Sequence, residues 1–381
     1  MKALNEKPMS PYSKPKLTCF LTILSIFIVM NTAQAQSVKY IPYFKSEFML
    51  GKIVKTNSFF PETDYQKRYL FNIGRVYTDT TSWPAFFGYP EIGIGFSYNQ
   101  LGHKSVFGNS YGLLKYIEFR PGGFLARSLN FHIALGASWF DSPYHPENNP
   151  VNKAIGSHLN WAFRLFAYYN VYTGRSIILR FGGGYLHSSN GHVQLPNFGL
   201  NSGALSLSVL FTDSKNNLLT KLPKIKPDKT RSYIVEFRRG FGFHALGGTA
   251  GPADAKIKPV HSNELSAGII FRQYLKFYGG FTQRNYRHFA DTKNTAWLQN
   301  KELPDYYHCN TYFFLGLELL TGQVGIDIQG GLTIRKPFYA DFDEQFQKSE
   351  PLDYWLKYLF PTRLGLKYYW LKNQYRPKNN F

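Results

Sequence analysis

His187 and Ser189 stand two residues apart at the end of a strand-like segment, and Asn190, Asn197 and Asn201 follow closely. An imidazole beside a hydroxyl is the minimum set for acyl transfer through a nucleophile. Serine attacks poorly until a base within hydrogen-bond reach takes its proton. The same base then returns that proton to the leaving alcohol. On an extended chain, residues i and i+2 share a face with Cα atoms roughly 6.5–7 Å apart, so the His187 ring can lean toward Ser189. Asn201 offers an amide oxygen to hold the imidazole tautomer, the task of the acid in serine hydrolases. An amide stabilises the imidazolium less than a carboxylate does, so slower chemistry is expected. Asn190-Gly191 is a turn-prone pair whose backbone N–H groups can cluster. The Asn197 side chain is a second candidate donor to a tetrahedral oxyanion.

These residues need a scaffold that faces them the same way. The segment Ser176 to His187 alternates with period two. Its odd positions carry Ile177, Leu179, Phe181 and Tyr185; its even positions carry Arg180, Gly182 and Gly184. Arginine is costly in hydrocarbon, so in a membrane barrel the even face points to the lumen. His187 and Ser189 then face outward. In Ser202 to Phe211 the apolar face is Leu205, Leu207, Val209 and Phe211, and Asn201 shares its parity. Three polar residues therefore converge on the outer rim of one hairpin.

Many other segments alternate in the same way. Ile92, Ile94, Phe96 and Tyr98 oppose Gly93, Gly95 and Ser97; Leu265, Ala267, Ile269 and Phe271 oppose Ser266, Gly268 and Arg272. Glycine, serine and single charges recur on the polar face, as in a barrel lumen, while the apolar face carries aliphatic and aromatic side chains. The fold expected is all-β: a transmembrane antiparallel up-and-down barrel of about fourteen strands, within two either way, over residues 36–381. Tight links at Pro121-Gly122-Gly123, Thr173-Gly174, Tyr274-Leu275 and Thr321-Gly322 follow even-numbered strands. Long links are expected after strands five, nine, eleven and thirteen. The basic stretch Thr212 to Lys229 breaks that rule. Gly247 to Gly251 lacks the Lys-Ser/Thr of a phosphate loop and reads as a flexible surface loop. No sustained helical period follows the first segment.

That first segment, residues 1–35, reads as a cleaved signal peptide. Lys14 and Lys16 precede an apolar run from Phe20 to Met30, and Ala33-Gln34-Ala35 fits a signal-peptidase site. Beyond it Cys309 is the one cysteine, so neither an internal disulfide nor a cysteine metal cage is expected. Aromatic residues make up 18% of the chain, which suits the girdles of a membrane barrel. Net charge is +20. Export argues against nucleic acid as the partner, and the phosphates of lipopolysaccharide suit Lys and Arg instead. His132 belongs to a lumen face. His192 reads as a solvated loop histidine, and Tyr185 as a girdle tyrosine. Asp305, Asp341, Asp343 and Glu344 lie in long links and read as solvated rather than as a calcium site. Phe381 supplies the terminal aromatic typical of outer-membrane barrels.

His187-x-Ser189-Asn190, six residues of linker, then Asn197-x-Gly199 resembles the PagL-type outer-membrane lipid A 3-O-deacylases and the acyloxyacyl hydrolase proteins of Bacteroidetes. The resemblance implies a barrel in the Gram-negative outer membrane whose outer wall carries a Ser-His site that cleaves an ester-linked acyl chain from lipid A. It makes His187 the base and Ser189 the nucleophile, and it assigns Asn190 and Asn197 to the oxyanion site. The family's acid aligns with Asn201, where this chain departs from glutamate. The chain is longer than the eight-stranded barrels of that family, which points to a divergent branch. No cofactor or metal is required. The expected function is an ester hydrolase acting on lipid A or lipopolysaccharide. The alternatives are a passive porin or uptake barrel and a lipopolysaccharide-binding barrel without turnover.

Overall fold

A computed structural model describes residues 40–56, 60–78, 89–120, 128–212, 231–272, 274–290, 302–321 and 323–370. The expected signal peptide, the Pro121-Gly122-Gly123 link, nearly all of the basic stretch after Thr212, and Phe381 lie outside them. The described residues form fourteen strands, but these do not make one barrel. The first eight close on themselves. They are β1 (Tyr40–Ile53), β2 (Gln66–Tyr77), β3 (Glu91–Gln100), β4 (Asn109–Phe119), β5 (Leu129–Phe140), β6 (Leu159–Thr173), β7 (Ile177–Ser189) and β8 (Leu200–Thr212). Each pairs antiparallel with its neighbour, and β8 returns to β1 with Leu207 opposite Phe48. The other six form a separate antiparallel sheet: β9 (Arg231–Gly248), β10 (Gly251–Phe271), β11 (Leu275–Tyr286), β12 (Cys309–Thr321), β13 (Val324–Arg335) and β14 (Thr362–Tyr368). The expected single barrel of about fourteen strands is therefore corrected. Alternation marks strands, but it does not say which strand closes on which.

Eight strands leave an interior just wide enough for side chains, and this one is filled with paired charges. Arg180 donates to Glu91 at 2.7 Å and to Glu118 at 2.5 Å. Lys45 reaches Glu118 at 3.1 Å, and Arg164 reaches Glu47 at 2.5 Å. His132 is buried on this lumen face, with Nδ1 3.2 Å from Glu118. Charges taken out of water persist only when paired and hydrogen-bonded, and these are. The outer wall carries exposed Phe71, Ile73, Leu165, Leu179, Leu205 and Leu207.

The links after the odd strands share one end of the barrel. There Ile53, Phe60, Leu101, Phe107, Phe140, Ile155 and Leu200 pack into an apolar cluster beneath the links. This cluster makes that rim rigid. At the other end, Gly174 N–H closes the β6–β7 turn on Ile177 O at 2.9 Å.

The link after β9 was expected to be long. Instead β9 and β10 run on to Gly248 and Gly251, leaving only Thr249-Ala250 as the turn. The link after β13 holds a nine-residue helix, Pro351–Leu359, too short to give a sustained periodic signal.

Candidate active site

The β7–β8 register sets His187 directly opposite Asn201, and the β6–β7 register sets Ser189 opposite Trp161. Parity turns His187 outward with Tyr185, against which its ring stacks at 6.5 Å, and toward Trp161, whose ring centroid lies 4.9 Å away. His187 Nδ1 is 2.6 Å from Asn201 Oδ1. An amide oxygen only accepts, so the ring proton belongs on Nδ1 and Nε2 is left as the base. Tyr185 donates its hydroxyl to the same Oδ1 at 2.5 Å. Two donors on one oxygen fix which way the amide points. Tyr185 was read as a girdle residue; its i, i+2 parity with His187 was the signal for this role.

Ser189 is only 7% exposed, although its strand face is the outer one. The β7–β8 loop folds over it. Asn197 Nδ2 donates to Ser189 Oγ at 2.9 Å, and Gly191 N–H donates to the same oxygen at 3.2 Å. Asn190 N–H in turn donates to Asn197 Oδ1 at 3.2 Å, which aims the Asn197 amide nitrogen at the serine. The Asn190 side chain faces away, bonding Ser157 Oγ at 3.0 Å and Gln194 O at 2.8 Å. Asn190 thus supports the loop through its side chain and the donor pair through its backbone. The hydroxyl and the imidazole are not bonded to each other in this arrangement. Rotation of the serine side chain is the motion that would join them, and catalytic bonds commonly tighten only around substrate.

Two glycines permit this crowding. Gly191 has φ +66° and Gly199 φ +76°, where an L side chain is strained. A Cβ at Gly199 would also lie 2.9 Å from His187 Cε1. The loop is braced on both sides. Gly199 N–H bonds Ala154 O at 2.9 Å and Phe198 N–H bonds Lys153 O at 3.2 Å, both in the β5–β6 link. From the second sheet, Thr249 O accepts Asn197 N–H at 3.0 Å, and Ala245 N–H bonds His192 O at 3.3 Å. Sequence reading missed this second brace, because nothing in Gly247 to Gly251 marks a docking turn. His192 is not simply solvated: its ring stacks on His244 at 5.3 Å, and burial lowers its pKa. Asp341 and Asp343 are likewise not simply solvated. Asp341 accepts from the Tyr307 hydroxyl at 2.6 Å, and Asp343 is buried and accepts Ser349 N–H at 3.1 Å. Among the described residues no group of His, Cys, Asp and Glu is arranged to hold a metal ion.

A family model described as lipid A 3-O-deacylase (PagL) matches residues 72–209, from within β2 to within β8. The matched segment lies within the closed barrel. The protein is an outer-membrane β-barrel, and the six-stranded sheet lies beyond the matched segment. Comparison with curated proteins finds no match. Among solved structures, the outer membrane enzyme PagL is 16% identical, covering 43% of this chain and 97% of its own, with a TM-score of 0.31. Neisserial surface protein A is 11% identical, covering 47% and 100%, with a TM-score of 0.28. The N-terminal barrel of Pseudomonas aeruginosa OprF is 13% identical, covering 45% and 100%, with a TM-score of 0.26.

Proposed function

We propose that this protein is an outer-membrane ester hydrolase that removes an ester-linked acyl chain from lipid A. The observation that carries the proposal is the pairing of His187 Nδ1 with Asn201 Oδ1 at 2.6 Å, two residues from a serine held by two N–H donors. His187 Nε2 takes the Ser189 proton as Oγ attacks the ester carbonyl carbon. The carbonyl oxygen becomes an oxyanion, to which the Gly191 N–H and the Asn197 amide, which donate to Ser189 Oγ in the resting site, would turn. Collapse expels the sugar alcohol, which takes the proton from His187 Nε2. Water then enters as the second nucleophile, and the same base frees the fatty acid from Ser189. Each proton that leaves Oγ or water passes through one imidazole nitrogen.

The outer wall below the site suits the acyl chains. Ile177, Leu179, Leu205 and Leu207 are exposed on β7 and β8 beneath His187, so a lipid tail can lie along them while its ester sits at the rim. A filled lumen leaves the eight-stranded barrel ill suited to act as a pore. Mass spectra of lipid A from cells expressing wild type or Ser189→Ala test the proposal. Loss of one acyl mass in wild type alone is expected. Unchanged lipid A in both would overturn hydrolysis, and affinity for lipopolysaccharide without turnover would leave a binding protein.

A further inference from the structure

Beside the β7–β8 loop the six-stranded sheet carries a cavity of about 200 Å³. His192 from the loop forms one wall. His244, Tyr286, Lys336, Tyr339, Gln347 and Lys357 supply its polar groups, and phenylalanines line the rest. Three of these polar groups are buried with no hydrogen-bond partner among the described residues: His244 Nδ1, the Tyr339 hydroxyl and Gln347 Oε1. A buried polar atom without a partner costs about 1–3 kcal/mol, and three around one cavity point to a ligand that satisfies them. A tyrosine hydroxyl, an imidazole and an amide able to present its nitrogen can all donate.

The charged side chains that line the cavity are basic, Lys336 and Lys357. Lys336 lies 3.7 Å over the Tyr339 ring, and among the described residues no carboxylate forms an ion pair with it. Burial, joined by Arg284 and opposed by Asp343, lowers the Lys336 pKa to about 7, so a cation held there gains from an anion. Among the described residues Lys357 reaches only Ser349 Oγ, at 3.5 Å. The nearby acids are Asp343, whose carboxylate accepts from Ser349 N–H, and Asp353, both of which act on the Tyr339 hydroxyl from outside the cavity lining. His288 donates Nε2–H to His244 O at 2.9 Å and holds that strand end in place.

We propose that this cavity binds a phosphate monoester, namely a phosphate on the sugar headgroup of the lipid whose ester lies at Ser189. The inference rests on the lipid A reading above. His192 is three residues from Ser189, so their Cα atoms lie within about 10 Å, a gap that a phosphorylated sugar can bridge. Lys336 and Tyr339 would contact the phosphate, and His192 ties the cavity to the loop that carries the oxyanion donors. The six-stranded sheet would then select phosphorylated substrate, a role the matched barrel segment does not contain.

The test is binding to the full-length Ser189→Ala protein in detergent micelles, with bisphosphorylated lipid A and the same lipid treated with phosphatase. Lys336→Ala should weaken the phosphorylated lipid about tenfold, the value of one charge-assisted hydrogen bond, and leave the dephosphorylated lipid unchanged. Tyr339→Phe should weaken it less, and Lys336→Arg should restore it, which excludes misfolding. Equal loss for both lipids, or none, would overturn the proposal. Inorganic phosphate binding as tightly as the lipid, with the same dependence on Lys336, would assign the cavity to the free anion and overturn the headgroup. Tight phosphate-dependent binding beside a wild type that never releases fatty acid would instead refute hydrolysis and leave the cavity standing.

Discussion

The two sheets are built from the same alternating sequence pattern, yet they bury it differently. In the closed barrel the inward charges are sealed: Arg180, Glu91 and Glu118 are at most 1% exposed as side chains. In the six-stranded sheet the equivalent face is mixed: Lys276 and Glu318 are sealed at 0%, while Arg363 stays at 32% and Arg238 at 22%. Among the described residues β9 and β14 each pair on one side only. An open sheet therefore seals its central charges and leaves others of the same face partly wet. Chemistry follows the same division. The closed barrel holds His187, Ser189 and Asn197, the proposed base, nucleophile and oxyanion donor, on a rim packed over an apolar cluster. The open sheet contributes one turn, Thr249-Ala250, and a basic cavity, both directed at the loop over Ser189. The pattern resembles an enzyme domain to which a second sheet adds bracing.

The largest effects should come from the barrel rim. Ser189→Ala and His187→Ala should each lower deacylation by at least about a thousandfold, because a nucleophile and its base act as one unit. The release of fatty acid from purified protein measures this, and combining the two should cost little more than either alone. Stability separates the two sheets next. Arg180→Ala leaves Glu91 and Glu118 buried without their shared cation and should destabilise the barrel by about 3–5 kcal/mol. Arg363→Ala removes a half-exposed partner of Glu264 and should cost about 1 kcal/mol or less. Urea unfolding in detergent, followed by gel mobility, gives both values. Equal losses would mean that the second sheet is as sealed as the barrel.

The strands and their outward face were open to sequence reading, and the division into two sheets was hidden for physical reasons. Side-chain parity along β7 and β8 placed His187, Ser189 and Asn201 on one outer face, because a period of two leaves no freedom once Arg180 is assigned inward. The hairpin register then follows from its length. Closure after eight strands was not legible: β1 and β8 carry the same pattern as any other pair, and long-range partner choice leaves no local mark. The docking of Thr249 on Asn197 was hidden for a similar reason. It is made by a backbone carbonyl, which any residue supplies. The stacking of His192 on His244 depends on a contact between the barrel loop and the second sheet, and the burial of Asp343 on packing within the β13–β14 link; spacing along the chain encodes neither.

A smaller effect tests whether bracing by the second sheet matters. Asn197 donates its backbone N–H to Thr249 O, while its side chain is aimed by Asn190. Replacing the Leu246–Pro252 tip with a shorter turn removes the first bond and keeps the second. The oxyanion donors should loosen without being lost. The expected outcome is a fall in kcat of about tenfold, against the hundredfold or more for Asn197→Ala, which deletes a donor outright. The unfolding of the barrel should not change. A tip variant with full activity would make the second sheet a passenger for catalysis.

The smallest expected effect is a gain, and it lies within the barrel. Asn201 holds the imidazole by an amide oxygen that also accepts from Tyr185. Asn201→Asp puts a full negative charge 2.6 Å from Nδ1 with no added bulk. A carboxylate stabilises the imidazolium that forms as Ser189 is deprotonated, so the rate should rise, by about tenfold if the geometry holds. The charge also faces lipid at the rim, and its desolvation works against that gain. Tyr185 decides the balance, because its hydroxyl can solvate the new carboxylate. The double variant Tyr185→Phe with Asn201→Asp should therefore lose the gain that the single variant shows. If Asn201→Asp slows the enzyme while Asn201→Ala leaves it unchanged, the 2.6 Å contact does not orient the base, and His187 is held by the rings of Trp161 and Tyr185 instead.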